Sequence, residues 1–518
     1  ESYNKAIQIN SNYADAYSNG GIVLQEMKRY EEALESYNKA IQINPNYLEA
    51  YICQGNLLKK LKRFNEALKI YDKIIEFNPN FAEAFFNRGN ILKELNLFDE
   101  ALENYNQAIV LNPTKANSYN NRGIVLKELK RFDDAIKSYN KAIQIKFNYS
   151  TAYNNLGILL HELKKFNEAI KSYNKAIEFN PEYAAAYNHR GVSFLYLKNF
   201  DKALNNYNTA IKLKPNYARA LFNKAFLKLL LGEYTEGWLL YEARVKIEDL
   251  KKNYFPNSKK LWLGKHSIKE KVILIYSEQG YGDSIQFCRY IPMLKSFNPK
   301  SIIFYVQKPL IPLLSNLDKK VRILEKGKKI YDNIDFYCPL LSLPLVFKTT
   351  IDNIPSKKQY LYANNIKNQY WCSKLGLKSK TRIGLFWSTN TKNINIRKLL
   401  LNQLSSILKL PFEYHSLQQE IDKNDIEESK KYKNLYHHHQ DLKDFSDTSA
   451  LINQMDLVIS VDTAVAHLAG ALGKKVWILI NFIPDFRWLL DQEDTPWYPT
   501  ARLYRQSEVD NWNSVIKK

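Results

Sequence analysis

Asp283 stands in the run Ser277–Ser284 (SEQGYGDS), between an apolar segment and the helical pattern Ile285–Leu294. A carboxylate placed there has two uses: it takes a proton from a hydroxyl as a general base, or it accepts the free amides of the helix start. Gly280 and Gly282 permit a tight turn and close backbone approach. Ile285 occupies the place of a third glycine, so this is not the dinucleotide fingerprint. A second run, Val458–Gly473 (VISVDTAVAHLAGALG), reads as a strand that ends in Asp462 and Thr463 and enters a helix carrying His467. Unpaired amides and the helix dipole favour an anion at such a start, and the small Ala464 and Ala466 leave room for a phosphate. His467 then either touches a diphosphate or closes the helix packing. The third run, Trp387–Arg397 (WSTNTKNINIR), holds the hydroxyl of Ser388 and the guanidinium of Arg397, which binds an anion with two donors.

These runs need a scaffold that ends strands at helix starts. β-branched segments recur at Lys271–Glu278, Ser301–Gln307, Val321–Glu325, Arg382–Ser388, Glu413–Leu417, Asp456–Val461 and Lys475–Ile480, with helical stretches between them. That alternation predicts α/β folding with parallel sheets. The strands form two clusters separated near residues 365–380, which predicts two doubly wound domains facing one cleft, with ligands beyond the carboxyl ends of the strands.

The first half is different. A glycine recurs every 34 residues at Gly21, Gly55, Gly89, Gly123, Gly157 and Gly191, with an aromatic nine positions later and a small residue three further on. A 34-residue period of two amphipathic helices is that of a tetratricopeptide solenoid. Prolines at Pro45, Pro79, Pro113, Pro181 and Pro215 stop the second helix of their units, and Phe147 breaks the series without breaking the period. Seven repeats are expected from Ala14 to Lys246, after an isolated half, stacking into a right-handed superhelix with a concave groove. The fold class is therefore an α-solenoid followed by an α/β fold of two doubly wound domains, with boundaries at 1–246, 247–378 and 379–518. Two positions before the repeat glycines stand Asn19, Asn87, Asn121 and Asn155, with Cys53 and His189 interrupting the row. Amides at repeat spacing either pair with the backbone of an extended peptide in the groove or bond neighbouring helices.

Of the net charge of +22, +16 falls on residues 251–518, where 41 basic side chains face 25 acidic ones. That excess suits an anionic ligand or surface, or a lysine-coated exterior. No nucleic-acid recognition motif accompanies it, so a nucleic-acid partner is not expected. The four cysteines, Cys53, Cys288, Cys338 and Cys372, have no paired or metal spacing and read as buried thiols of a reducing, cytoplasmic compartment. No apolar run reaches the roughly 18 to 20 residues of a membrane span, which leaves peripheral membrane contact open. Residues 1–9 repeat 35–43, the second helix of a unit, so the true N-terminus is expected to lie upstream. Of His437, His438 and His439, adjacent strand positions leave at most two for one metal. No DxD occurs after residue 251, and the chemistry expected needs no metal and no cofactor beyond a donor substrate.

The run DTAVAHLAGALGKKVW resembles the donor-site motif of the heptosyltransferase-like family nine glycosyltransferases, and EQGYGDSIQFCRYIPML resembles the acceptor-domain motif of the same family. The resemblance covers about Leu261 to Ile516, and the whole layout resembles bacterial tetratricopeptide–glycosyltransferase fusions. It implies a GT-B fold, with nucleotide sugar in the C-terminal domain and acceptor in the domain before it. It also implies Asp283 as catalytic base and Asp462, Thr463, Ala464 and His467 as the diphosphate-contacting turn beside Gly282. The segment with Ser388 and Arg397 resembles the donor loop of such fusions, except that Thr389 replaces a common glycine and Asn393–Asn395 lack a nearby acidic residue. The asparagine row is similar to the ladder in the solenoid of the protein O-linked N-acetylglucosamine transferases, which implies acceptor contacts for Asn87, Asn121 and Asn155. The expected function is an inverting, metal-independent glycosyltransferase whose repeats recruit a protein or glycan acceptor. The competing expectation is an interaction scaffold that binds nucleotide sugar without turning it over.

Overall fold

The computed structural model describes residues 2–247, 260–330, 333–388 and 399–517. The chain divides into two compact units, Glu1–Leu213 and Lys214–Lys518.

The first unit is a helical array. After a helix at Ser2–Ile9 come six antiparallel pairs, from Ala14–Glu26 with Tyr30–Ile43 to Ala184–Tyr196 with Phe200–Leu213. The repeat glycine is explained by the tyrosine sixteen residues on. A Cβ at Gly21 would lie 2.6 Å from the Tyr37 ring, and one at Gly157 2.5 Å from Tyr173, with the same contact at each glycine between. The tyrosine of the second helix thus lies flat on the first, and any larger residue would force the pair apart. Within each pair the turn is made by a residue in the left-handed region: Lys28, Lys62, Asn96, Lys130, Lys164 and Lys198, at φ between 55° and 62°. Between pairs, Asn44, Asn78, Asn112 and Asn180 follow the helix end and accept the amide two residues on, closing a turn around each proline. Many of the asparagines are turn formers.

The second unit opens with a further pair, Ala218–Leu230 and Tyr234–Tyr241, and a 3-10 turn, Glu242–Lys246. Its remainder holds two all-parallel sheets. The first comprises β1 (Lys260–Leu261), β2 (Val272–Tyr276), β3 (Ser301–Val306), β4 (Val321–Glu325) and β5 (Phe336–Pro339), in the order β1-β5-β2-β3-β4. The second comprises β6 (Arg382–Phe386), β7 (Glu413–Ser416), β8 (Leu435–His437), β9 (Leu457–Val461), β10 (Val476–Ile480) and β11 (Ala501–Arg505), in the order β11-β10-β9-β6-β7-β8. Both sheets wind outward from a first central strand and then return to its other side, so each has a point where the order reverses, β2/β5 in one and β6/β9 in the other. The helix Asn365–Leu375 connects them.

All seven strands expected from β-branched runs are present, Val321–Glu325 unchanged and the others trimmed by one or two residues at one or both ends. Four were not legible. β1 and β8 are only two and three residues long. β5 ends in Cys338 and Pro339, and β11 (ARLYR) carries Arg502 and Arg505 on a sheet edge, where one side is solvated. The strands beside each reversal point are buried: the central ones supply Ile273, Leu274, Ile275, Ile383 and Leu385, all under 5% exposed.

Candidate functional site

The two motif helices meet. Gly282, in the helix Tyr281–Phe287, lies against the helix Ala464–Ala471, and a Cβ on it would sit 2.8 Å from His467 Cδ2 and 3.4 Å from Ala464 Cα. Glycine at 282 is therefore a close-approach device between the two motif helices. Gly470 serves the same purpose one turn beyond His467, where the ring of Tyr498 occupies the space a methyl would need.

Asp283 serves as cap and ion-pair partner together. One oxygen accepts the amide of Gly280 at 2.9 Å, and the other is bonded to Arg487 Nη2. Arg487 is buried, and it also binds Asp485 Oδ1 at 2.7 Å and the amide oxygen of Gln286. Burial opposes its charge, but Asp485, Asp283, Tyr241 and Asp462 raise its pKa above the ordinary range, so it is a permanent cation at the meeting of the two motifs. Arg487 and Asp485 lie in a stretch that also carries Phe486, Trp488, Trp497 and Tyr498. Trp497 donates to Tyr234, and its carbonyl accepts Arg289 Nη1 at 2.8 Å.

His467 is buried and held on three sides. Its Nδ1 is 2.9 Å from the Tyr498 hydroxyl, its ring stacks on Trp488 at 5.3 Å, and its Nε2 is 3.8 Å from Asp462 Oδ1. The helix it belongs to begins at Thr463, in extended conformation, and no side chain caps it. The contrast with the helix Phe445–Asn453 is direct: there Asp444 accepts the amides of Ser446 and Asp447. The start at Ala464 is left with the donors that an anion satisfies.

In front of that start is a recess of about 230 Å³, partly open to solvent. Thr463, Ala464 and Val465 line it from the end of β9, Phe386 and Ser388 from the end of β6, and Leu417, Gln419 and Glu420 from the end of β7. It therefore lies at the reversal point of the second sheet. The facing wall is apolar, with Tyr281 from the first domain against Phe445 at 5.1 Å between ring centres. Ser388 is positioned by Gln418, whose side-chain oxygen accepts the amides of both Trp387 and Ser388 at 3.0 Å.

Of the residues singled out in the sequence, the fold brings Gly282, Asp283, Ser388, Asp462, Thr463, Ala464 and His467 to this region. Arg397 lies outside the described residues. Asn87, Asn121 and Asn155 are in the first unit, and each amide has a partner from a neighbouring helix. Asn87 accepts Lys59 Nζ at 2.9 Å, Asn121 donates to Asn90 at 2.7 Å, and Asn155 donates to Asn120 at 2.9 Å. Sequence reasoning missed Gln418, Tyr281 and Phe445, whose types carry no chemical signature. Among the described residues no three His, Cys, Asp or Glu side chains are grouped to hold a metal. His438 of the histidine run pairs instead with His415, Nε2 to Nδ1 at 3.0 Å. Nor is any helix among the described residues long and apolar enough to cross a membrane.

Family models of the tetratricopeptide repeat match residues 14–47, 36–69, 55–96, 89–130, 114–182, 150–216 and 188–245. The N-terminal part is thus a tetratricopeptide solenoid, followed by an α/β region of two parallel sheets; no glycosyltransferase family model matches. Protein FlbA of Caulobacter vibrioides is 24% identical over 320 residues, 56% of this chain and 52% of FlbA. The chain spans about half the length of that curated relative. Among solved structures, YrrB, described as a TPR protein with an unusual peptide-binding site, is 27% identical with a TM-score of 0.31, covering 37% of this chain and 98% of its own. A tetratricopeptide repeat protein from Parabacteroides merdae is 18% identical with a TM-score of 0.40, covering 44% and 91%.

Proposed function

We propose that the α/β region binds a nucleotide sugar and transfers its sugar to an acceptor hydroxyl, and that the repeats recruit the acceptor. One observation carries this reading: the uncapped helix start at Thr463–Val465 and Ser388 line one recess at the reversal point of a parallel sheet, while Gly282 of the other domain packs on that same start. The diphosphate takes the free amides of the helix start, and the nucleoside lies over the ends of β6 and β7. Asp283, one residue from the contact, accepts the proton of the attacking hydroxyl. The oxygen attacks the anomeric carbon, the bond to the diphosphate breaks, and the helix dipole stabilises the charge that develops on the leaving group. Arg397 belongs to this proposal as a second donor to the diphosphate. In the resting geometry one Asp283 oxygen is held by Arg487 and the other by the Gly280 amide. Arg487 must therefore turn toward Asp485 or the diphosphate as substrate binds.

The same ion pair favours a second reading, a scaffold that binds nucleotide sugar and does not turn it over. A panel of nucleotide sugars with an acceptor extract separates the two. Nucleotide release that falls at least a hundredfold in Asp283→Asn supports transfer, in line with the roughly 10²–10⁴ a general base contributes. Donor binding without release in either chain supports the scaffold.

A further inference from the structure

We infer that a recess at the opposite edge of the second sheet, beside Trp477, is a binding site for a saccharide carrying negative charge. Trp477 is the one exposed residue of β10, 39% accessible between the buried Val476 and Ile478. An indole left open on a strand otherwise buried costs apolar hydration, a cost that a ligand covering it would remove. Across the ladder it is in register with Arg502 of β11, and its ring lies 5.2 Å from that of Tyr504. Lys358 and Lys475 complete a recess of about 480 Å³, open to solvent, lined also by Pro499, Thr500 and Trp477.

Two features point to a ligand there. The hydroxyl of Thr500, in the lining, is buried and makes no hydrogen bond to the described residues. The cations are concentrated around one aromatic face: Lys358 and Lys475 make no ion pair among the described residues, and Arg502 pairs with the exposed Glu493 at 2.8 Å. A pyranose ring has an apolar face of C–H groups that covers an indole, hydroxyls that meet a threonine, and, when it bears carboxylates, charges that suit lysines. A single-stranded nucleic acid would require a series of open rings for successive bases. Here Tyr504 is half-buried, and only one ring is presented. The site is separate from the donor recess, because it lies at the amino ends of β10 and β11, a strand length from the carboxyl ends, and the inference does not depend on the transfer reaction.

The test is calorimetric titration of the full chain with trigalacturonate, maltotriose, inorganic phosphate and a short single-stranded oligonucleotide, with indole emission as a second readout. Trigalacturonate is expected to bind at least about tenfold more tightly than maltotriose. Trp477→Ala should weaken it by a similar factor, with an unchanged unfolding temperature, and Lys358→Gln with Lys475→Gln should abolish the preference for the charged sugar. A nucleoside diphosphate in excess should not displace it. Equal binding of maltotriose, equal binding by Trp477→Ala, displacement by the nucleotide, binding of phosphate alone with the affinity of the sugar, or tighter Trp477-dependent binding of the oligonucleotide would each overturn the proposal.

Discussion

Between β2 and β5 the first sheet reverses its winding around a buried carboxylate, Glu278, which accepts the amides of Leu340 and Leu341 at 3.0 and 3.2 Å and Arg244 Nη2 at 3.0 Å. Between β6 and β9 the second sheet reverses around open space. The winding is the same, yet one crevice is closed by an arginine from the last repeat and the other is left lined by an uncapped helix and Ser388. Arg244 is wholly buried, and it also reaches Ser342 Oγ at 2.8 Å and Glu242 at 2.6 Å. Burial pushes the Glu278 pKa up, and Arg244 with the surrounding amides pulls it back. A crevice at the carboxyl ends of parallel strands concentrates backbone donors whatever its use. In the first sheet the chain satisfies them with its own side chain; in the second the helix start at Thr463 carries no side-chain cap.

The comparison breaks most readily at the ion pair. Arg244→Ala or Glu278→Ala should cost about 3–5 kcal/mol, because the partner is left buried and uncompensated, whereas Arg244→Met with Glu278→Leu should recover most of it. Chemical denaturation of the three chains measures this. Single losses below about 1 kcal/mol would mean that the first crevice is hydrated and not plugged.

Acid should act next, through a histidine pair in the second sheet. His415 and His438 are stacked and buried, and both have pKa values lowered to about 4, chiefly by burial, with the Arg382 charge adding for His415 and the His415 charge for His438. Glu413 Oε1, 3.2 Å from His415 Nε2, makes no hydrogen bond with it. Between pH 6.5 and 4 the unfolded rings bind protons that the folded ones do not, so stability falls as pH falls through that window and levels off below it. The loss should be on the order of 3 kcal/mol per ring, and this part should vanish in His415→Phe with His438→Phe when thermal unfolding is followed against pH, leaving the part due to His161, which burial also lowers to about 4.

Gly282→Ala should cost about 1–3 kcal/mol by pressing a methyl on His467, and it should also weaken nucleoside diphosphate binding. If binding is untouched, the contact between domains does not shape the recess. Ala464→Asp is subtler: a negative charge in the first helical turn is neutral or favourable for the helix, yet it should lower diphosphate affinity about tenfold by taking the amides. The smallest effect is expected from Asn87, Asn121 and Asn155 changed together to alanine. Acceptor affinity should drop while donor affinity is unchanged, and equal acceptor affinity would leave these amides as inter-helix bonds only.

Much of this was legible in the sequence because it follows from local rules. The 34-residue step, the helix pairs and the seven β-branched strands each reflect a periodicity carried by neighbouring residues. Asp283, Asp462 and His467 were legible because each sits at a strand-to-helix turn, where chemistry and geometry share one short run. The short strands β1 and β8 and the charged edge strand β11 were not, since their pairing partners are remote in the chain.

By itself, then, the sequence determined the two architectures, the winding of each sheet and the residue types at their strand ends, because those depend on periodicity and on turns a few residues long. Only the tertiary structure decided which crevice is open. Arg244 is 34 residues from Glu278, and Arg487 is 204 residues from Asp283. Whether a carboxylate is free, capped or paired depends on which distant cation the packing delivers to it. No local pattern encodes that delivery, because the free energy of burying a charge is set by everything that surrounds it.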